Sequence, residues 1–441
     1  MNMTEHDFSY LNRSKVLGIR TDLRPISRVL QVFNNPQDSC RTVHIAGSNG
    51  KGSTAAILES ILRAAGYKTG LYTSPHLIAV NERIAYNGGH ISSDALAAIL
   101  CEVQSACSMV SVELTYFEIL TCAAFIYFQR KQVDIGIIES GLGGRWDATN
   151  VLKSPLICIL TSMSVEHEQY LGSSLPQIIT EKSAIIKNGC TVISAPCPEK
   201  NGLQIIQDVC NEHGSVLHVS GDDFSAEFIS FSNKHMQKFT FNDITGNHHW
   251  YELNLLGFHQ LINAGLALTA CDILKNKFSF TIESSDCAYG LSQVAWPGRF
   301  QKIEYSHAGK KISVILDAAH NPAGIHTLID TIRCLKLSRI FLMIGILADK
   351  QYEAMLSSII PYVDKIRTVN ITHERAIDPH RLTQTVKRID PLKEVKSIYA
   401  WDTLIEEMSR YSDYTCIMTG SIYVIGEFLT FTKKGCISCL H

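Results

Sequence analysis

The chain has 441 residues, of which 46% are apolar and 19% charged, which excludes a disordered protein and provides enough core for two domains. Its 40 basic and 42 acidic residues exclude an electrostatic nucleic-acid binder and favour small-molecule partners. The apolar runs are too short to span a bilayer and the first ten residues lack the features of a signal peptide, so we expect a cytoplasmic protein with no membrane partner.

Fourteen cysteines are scattered along the chain, often inside apolar segments, as at Cys122 and Cys158. A thiol in such a segment behaves as a small hydrophobe, so we expect reduced core cysteines rather than disulfides. One CxxC pair, Cys436 and Cys439, stands near the end with His441 behind it. A single pair supplies too few ligands for structural zinc and is a weak metal signal.

The first strongly patterned segment reads as a strand, a glycine loop and a helix. The strand is TVHIAG, the helix has apolar residues at helical spacing from Ala56 to Ala65, and Gly66 closes it. A second run of strand-forming residues, KTGLYTSP, follows. Residues 41–74 therefore predict one βαβ unit.

Further apolar runs at residues 133–139, 156–161 and 191–194 fit strands buried on both faces of a parallel sheet. Residues 214–254 change to short alternating pieces without a helical period, which predicts a small antiparallel section. A helix then precedes the motif WPGRF, and strand and helix patterns alternate again from residue 311.

We therefore predict an α/β protein of two domains with a boundary near residue 295. Residues 1–295 would form an N-terminal, P-loop ATPase-like domain with a mostly parallel sheet and the small antiparallel section. Residues 296–441 would form a C-terminal Rossmann-like α/β domain.

The loop GSNGKGST resembles a phosphate-binding loop but departs from the strict pattern. Ile45 stands where that pattern has glycine, and Gly52 separates Lys51 from the hydroxyls of Ser53 and Thr54. The loop nevertheless lies between a strand and a helix, where backbone N–H groups can converge on an anion. Taken alone, it is either a nucleotide site or a tight glycine turn.

Other motifs decide between these readings. In chain order they are YTSPHL, NERI, LTYFE, ESGLGGRWDATNV, EKSAIIK, HQLINA, WPGRF, LDAAHNP and GILADK. Their order from about residue 10 to residue 430 resembles the folylpolyglutamate synthase and dihydrofolate synthase family, within the Mur-ligase group of ATP-dependent amide ligases. That family's loop carries the same extra glycine, so the resemblance favours ATP.

The resemblance implies roles for particular residues. Lys51, Lys182 and His320 would be catalytic, and Lys182 would be carbamylated. Ser53, Glu118 and His167 would bind Mg²⁺, with two ions expected. Phe117 and Asp147 would bind the pterin, and His320 and Ser421 the glutamate. The nucleotide would be bound by Gly47, Asn49, Gly50, Lys51, Gly52, Ser53, Thr54, Asn263, Arg299 and Asp317, the last three contacting adenine, phosphate and ribose respectively.

The residues alone leave structural roles open: Glu118 could be a helix-start carboxylate, Lys182 a surface lysine and Arg299 a partner in an ion pair. The chain also departs from the family pattern. Glu166 stands before His167 where relatives usually have Asp, Trp146 stands where they often have Leu, and residues 21–27 diverge.

The resemblance implies a bifunctional enzyme that joins glutamate to dihydropteroate and then to reduced folates, through an acyl phosphate. The alternatives are a monofunctional dihydrofolate synthase, a cell-wall precursor ligase of the Mur group, and a regulatory ATPase or GTPase that would need only the first domain. No coiled-coil pattern favours assembly, so we expect a monomer.

Overall fold

A computed structural model describes residues 8–197, 199–232, 236–307, 310–433 and 437–438. The chain divides into two compact units, the first comprising Met1–Asn254 and Leu261–Val294 and the second comprising Leu255–Gln260 and Ala295–His441. The short segment Leu255–Gln260 thus groups with the second unit. The pair Cys436 and Cys439, with His441, lies outside the described residues.

The first unit is built on an eight-stranded sheet, and its predicted strands appear close to their expected positions. The strands are β1 (Arg41–Ala46), β2 (Thr69–Tyr72), β3 (Ile84–Tyr86), β4 (Gly89–His90), β5 (Ile135–Glu139), β6 (Ile157–Leu160), β7 (Thr191–Ser194) and β8 (Val216–Val219). Their order across the sheet is β4-β3-β2-β5-β1-β6-β7-β8, and β2, β5, β1, β6, β7 and β8 run parallel. The mostly parallel sheet is confirmed.

A three-stranded antiparallel sheet confirms the small antiparallel section that was predicted between residues 214 and 254. It contains β9 (Ser225–Phe231), β10 (Gln237–Asn242) and β11 (His248–Leu253) in the order β11-β10-β9. The prediction began this section too early, because Val216–Val219 instead pairs parallel with β7 at the edge of the large sheet.

The helices of the first unit cover the sheet and build its core. The largest contribution comes from α5, which is buried from Glu118 to Phe128 and packs with α4. The ranges are α1 (Ser9–Arg13), α2 (Arg24–Val32), α3 (Lys51–Ala64), α4 (Ser93–Met109), α5 (Tyr116–Lys131), α6 (Glu168–Leu171), α7 (Leu175–Ser183), α8 (Lys200–Glu212), α9 (Phe258–Phe278) and α10 (Ser284–Gln293).

The second unit has a seven-stranded sheet in the order β16-β15-β14-β17-β13-β12-β18. Its parallel core of five strands confirms the Rossmann-like prediction, with β12 and β18 added antiparallel at one side. The strands are β12 (Gln301–His307), β13 (Lys310–Leu316), β14 (Ile340–Ile344), β15 (Lys365–Val369), β16 (Glu394–Ile398), β17 (Thr415–Thr419) and β18 (Ile437–Ser438).

Helices alternate with these strands, as the sequence pattern predicts. They are α11 (Pro322–Cys334), α12 (Tyr352–Ile359), α13 (Pro379–Ile389), α14 (Trp401–Arg410) and α15 (Ile422–Lys433). Over the described residues, no helix is both long and apolar enough to cross a membrane.

Candidate active site

The carboxyl ends of the central strands of the first unit meet at one edge, where open α/β sheets bind ligands. β1 lies between β5 and β6, so the glycine loop after β1 has the ends of both neighbours beside it. Main-chain hydrogen bonds hold this edge together: Ser140 N donates to Ile45 O at 2.8 Å, and Ser48 N donates to Ser162 O at 2.8 Å.

Two glycines of the loop have positions that other residues would not tolerate. Gly50 caps α3 with φ of 92°, and a Cβ there would lie 2.4 Å from Oδ1 of Asn263. A Cβ at Gly47 would lie 1.9 Å from Oγ1 of Thr161. The loop therefore needs glycine at both positions, and the predicted adenine residue Asn263 lies directly beside it.

The first turn of α3 begins at Lys51, so its backbone N–H groups point out of the helix end at the loop. Lys51 Nζ folds back over the loop and donates to Gly47 O at 2.8 Å and Ser48 O at 3.1 Å. The Ser53 and Thr54 side chains are buried, and Thr54 Oγ1 has no hydrogen-bond partner among the described residues. Asn49 forms an isolated bridge with Ser162, and Gly52 is the second residue of α3.

Lys182, in the last turn of α7, reaches the same loop. Its Nζ donates to Gly47 O at 2.7 Å and to Oε1 of Glu166 at 3.0 Å, and the side chain is 2% exposed. Burial lowers the pKa of Lys182 to about 8, although the charge of Glu166 raises it. The structure therefore brings together the two predicted lysines and excludes the surface-lysine alternative for Lys182.

The departure at Glu166 has a structural role. Burial raises the pKa of its carboxyl group, but the charges of Lys182, Lys51 and His167 outweigh burial and bring it to about 2. Glu166 is therefore an anion at neutral pH. His167 follows with a positive φ of 50°, and its carbonyl accepts the N–H groups of Tyr170 and Leu171, the last two residues of α6.

Glu118 lies in the first turn of α5, as the helix-start alternative expected. Its carboxylate accepts Thr115 N at 2.7 Å in the capping box of α5 and lies 3.4 Å from Nη1 of Arg20. Burial raises the pKa of Glu118, while the bonds to Thr115 and the charge of Arg20 oppose it. Glu118 therefore caps α5 with partners outside the glycine loop, and its role as a Mg²⁺ ligand stays a prediction.

Glu139 is a carboxylate that the sequence analysis missed. It is the last residue of β5, pairs in register with Ile45 of β1, and is 4% exposed. Its Oε2 accepts the N–H of Ser74, which follows β2, the neighbour of β5 on the other side. The sequence held a partial signal, because Glu139 is a polar residue at the end of a predicted buried strand, but only the structure shows that this strand lies next to β1.

The two predicted pterin residues, Phe117 and Asp147, lie near the segment that follows β5. The ring of Phe117 is 5.8 Å from that of Tyr72 and lies close to Gly141. The carboxylate of Asp147, however, accepts Leu142 N, Thr149 N and Thr149 Oγ1. Burial raises the pKa of Asp147, and these donors oppose it. Asp147 therefore fixes the conformation of its own loop.

Two of the differences from the family pattern, Trp146 and the segment 21–27, lie next to each other in the structure. Trp146 and residues from the divergent segment 21–27 line one cavity of about 470 Å³. Trp146 is 46% exposed and contributes an indole ring to that wall.

In the second unit, the predicted residues lie at the carboxyl ends of β13 and β17, which are neighbouring strands. Asp317 accepts the N–H groups of Phe300 and Ala319, both at 3.0 Å. Burial raises the pKa of Asp317 and the charge of Arg299 lowers it, so these two predicted nucleotide residues lie near each other.

The two predicted glutamate residues occupy adjoining turns. His320 Nδ1 lies 2.9 Å from Ala318 O, and Ser421 Oγ accepts Val424 N at 3.1 Å, at the start of α15. Gly420 N donates to Ala319 O at 3.0 Å, which joins the two turns. A hydroxyl and an imidazole therefore lie on turns that are hydrogen-bonded to each other.

Both parts of the chain match families of known proteins. Residues 45–271 match the Mur ligase middle domain, and residues 298–421 match the glutamate ligase domain of Mur ligases. The dihydrofolate synthase/folylpolyglutamate synthase of Bacillus subtilis is 30% identical, with 95% of this chain and 96% of that protein covered. The dihydrofolate synthetase of Saccharomyces cerevisiae is 28% identical, with 94% and 98% covered.

A solved structure described as E. coli FolC in complex with DHPP and ADP superposes with a TM-score of 0.85 at 28% identity, covering 97% of this chain and 98% of that one. The chain therefore belongs to the Mur ligase family, among the folylpolyglutamate and dihydrofolate synthases, and is an ATP-dependent ligase that forms amide bonds.

Proposed function

We propose that this protein joins L-glutamate to dihydropteroate, forming dihydrofolate, and to reduced folates, forming folylpolyglutamates. The observation that carries the proposal is the convergence of Lys51 and Lys182 on Gly47 O at the start of α3. Lys51 and the N-terminus of α3 would form a site for a polyphosphate, while Lys182, whose charge is paired with Glu166, holds the loop through Gly47 O. The relatives named for both activities supply the substrate class.

The acceptor carboxylate must be activated before an amine can attack it. A carboxylate oxygen attacks the γ-phosphorus of ATP, the bond to the β-γ bridging oxygen breaks, and ADP leaves with an acyl phosphate formed. The neutral amine of glutamate then attacks the acyl carbon, the bond from that carbon to the phosphate oxygen breaks, and inorganic phosphate leaves together with the proton that the amine loses. Lys51 has the position to neutralise the phosphate charge that opposes the first attack, which is the main task in phosphoryl transfer.

Magnesium fits the donors present at the loop. Ser53 and His167 were predicted as ligands together with Glu118, and the geometry adds Glu139 as the carboxylate at the sheet edge. Within the described residues, no three His, Cys, Asp or Glu side chains form a metal cluster by themselves. Mg²⁺ does not require such a cluster, because it combines one or two carboxylates with phosphate oxygens and water. The bound ion would screen the negative charges of ATP and the acceptor.

Carbamylation of Lys182 remains a proposal. The reaction with carbon dioxide needs a neutral amine, and a pKa of about 8 leaves a substantial neutral fraction at physiological pH. The present hydrogen bonds of Nζ, however, go to two acceptors, Gly47 O and Glu166. A carbamate there would require a metal ion or Lys51 to compensate its negative charge.

The remaining roles follow the same proposal. His320 and Ser421 would orient the incoming glutamate while leaving its neutral amine free to attack. Phe117 would stack on the pterin, and Asp147 would act through the loop that it holds. Asn263, Arg299 and Asp317 would contact the nucleotide. The monomeric state, the absence of a nucleic-acid partner and the cytoplasmic location remain predictions.

The deciding experiment is ADP release by the purified protein with Mg-ATP and glutamate, comparing dihydropteroate, tetrahydrofolate and no acceptor, with products identified by mass. Release with both acceptors supports the bifunctional enzyme. Release with dihydropteroate alone supports a monofunctional dihydrofolate synthase, the activity named for the yeast relative. Release with neither acceptor would refute the proposed substrates, and acceptor-independent hydrolysis would favour a regulatory ATPase.

A further inference from the structure

His44 is a buried histidine in β1, the strand that leads into the glycine loop. Its Nε2 lies 2.8 Å from Oγ1 of Thr149, and its Nδ1 has no hydrogen-bond partner among the described residues. Burial, with the charge of Lys187 as a second cause, lowers the pKa of His44 to about 3, so the ring is neutral at physiological pH. A neutral imidazole carries one proton, and the neighbours of its two nitrogens decide which of them holds it.

The hydroxyl of Thr149 decides the position of that proton. Its Oγ1 lies 2.5 Å from Oδ1 of Asp147, a buried carboxylate that also accepts the N–H groups of Leu142 and Thr149. A carboxylate only accepts, so the single hydroxyl proton of Thr149 points to Asp147, and Oγ1 accepts from Nε2–H of His44. With the proton on Nδ1 instead, Nε2 and Asp147 would compete for one hydroxyl proton, and Nδ1–H would be buried without an acceptor.

Asp147 connects this pair of side chains to the predicted pterin ring. Its Oδ2 accepts Leu142 N at 2.8 Å and its Oδ1 accepts Thr149 N at 3.0 Å, so the carboxylate holds both sides of its own loop. Gly141, next to Leu142, packs so closely on Phe117 that a Cβ there would lie 2.6 Å from Cζ of the ring. The loop that Asp147 holds therefore bears directly on the ring of Phe117.

We propose that His44 is a positioning residue for acceptor binding: by donating to Thr149 it commits that hydroxyl to Asp147, which then holds the loop packed against Phe117. This inference rests on the proposed function, because it assumes that Phe117 stacks on the pterin of the acceptor. Hydrogen bonds in a chain polarise one another, so the donation from His44 strengthens the bond from Thr149 to Asp147. His44 acts through these two residues and not by contact with the substrate.

The first measurement is the tautomer of His44 in the wild-type protein, read from the 15N chemical shifts of its ring nitrogens between pH 6 and pH 8. The signal of His44 is identified as the one that is missing from His44→Gln. We expect Nε2 to carry the proton and Nδ1 to be bare over this whole range. A proton on Nδ1 would overturn the proposal, because Thr149 would then donate to His44 and not to Asp147.

Kinetics of two variants test the effect on the acceptor. His44→Leu removes the donor and keeps the site apolar and filled, whereas His44→Gln retains an N–H that can reach Thr149. Initial rates of ADP release are measured against the concentrations of dihydropteroate, ATP and glutamate. His44→Leu should raise the KM for dihydropteroate about 10-fold, because one buried hydrogen bond behind the acceptor site is lost. The KM values for ATP and glutamate should stay unchanged, and His44→Gln should recover most of the loss.

Thr149→Val tests the middle of the chain of hydrogen bonds, and Thr69→Val is its matched control. Oγ1 of Thr69 also donates to a buried carboxylate, Oε1 of Glu59, at 2.7 Å, but Thr69 begins β2 and so lies at the opposite edge of the sheet from the glycine loop. Thr149→Val should raise the KM for dihydropteroate as His44→Leu does, and Thr69→Val should leave it unchanged. The double variant His44→Leu/Thr149→Val should exceed Thr149→Val by less than about 2-fold, because both residues act through one bond to Asp147.

Increases in KM that multiply in the double variant would overturn the proposal. An equal increase in the KM for ATP would overturn it too, because the effect would then lie in the glycine loop that follows β1. If His44→Leu loses its cooperative melting transition, Thr149→Val and the wild-type tautomer provide the test. A wild-type enzyme without acceptor-dependent ADP release refutes the proposed function itself, whereas an active wild type with an unchanged dihydropteroate KM in His44→Leu refutes only the role of His44.

Discussion

Nζ of Lys182 and Oε1 of Glu166 lie 3.0 Å apart, and their side chains are 2% and 9% exposed. A buried pair of this kind holds its partners in place because either charge alone would be costly there. Lys182 also donates a hydrogen bond to Gly47 O, so the ion pair holds the backbone of the glycine loop in place. Glu166, which stands where relatives usually have Asp, is therefore the ion-pair partner of Lys182 in α7.

Replacing Glu166 with Gln should lower the free energy of unfolding at pH 7 by about 2–4 kcal/mol, because it leaves the Lys182 charge buried and unpaired. The folded pKa of Glu166 is lowered to about 2, so its stabilisation is present above the unfolded pKa of about 4.3 and is lost as pH falls toward 2. Urea denaturation should show a smaller difference in the free energy of unfolding between the wild type and Glu166→Gln at pH 3 than at pH 7.

The matched control for that experiment is Glu374→Gln, because Glu374 is an exposed acid. It should change the free energy of unfolding by less than about 0.5 kcal/mol at either pH. A stability difference for Glu166→Gln that stays constant between the two pH values would contradict the ion pair.

Lys51→Ala should reduce ADP formation about 1,000-fold or more while leaving the melting temperature nearly unchanged, because Lys51 neutralises phosphate and fills no core. Lys153→Ala, at an exposed lysine shortly before β6, serves as the control and should retain full activity. A folded Lys51→Ala protein with normal turnover would remove Lys51 from the mechanism.

Glu139→Gln and Glu118→Gln separate the two candidate metal carboxylates. Glu139→Gln should raise the Mg²⁺ concentration for half-maximal ADP release about 10-fold or more, since it removes a charged oxygen ligand at the sheet edge. Glu118→Gln should leave the Mg²⁺ requirement unchanged, because Gln still serves a capping box. Magnesium titrations of both variants check this, and the reverse pattern would restore Glu118 as the ligand.

Gly50→Ala should lower the free energy of unfolding by about 1–2 kcal/mol, because an L-residue is strained at φ of 92°. It should also weaken ADP binding, since the added Cβ would displace Asn263. Adding Asn263→Ala relieves only the clash, so the double variant should regain part of the stability and none of the nucleotide affinity. Calorimetry of ADP binding and thermal melting measure both effects. Full recovery of affinity would show that Asn263 is only an obstacle.

The predicted elements were accurate where the pattern is local. The strand, glycine loop and helix at residues 41–64 could be located because buried runs and glycines mark them without reference to the rest of the chain. The strand Val216–Val219 was assigned to the wrong sheet, because a short alternating run has no internal sign of the partner with which it will pair.

The candidate site shows the same division between features that are encoded locally and features that depend on long-range contacts. The sequence by itself determined the α/β class, the position of the glycine loop between β1 and α3, and the family, because motifs and periodicity encode local geometry and their order is distinctive. Only the tertiary structure decided that Glu139 reaches the sheet edge, that Glu118 caps a helix, and that Glu166 pairs with Lys182. Those outcomes depend on which strands become neighbours and on which charges are buried together, and neither is fixed by spacing along the chain.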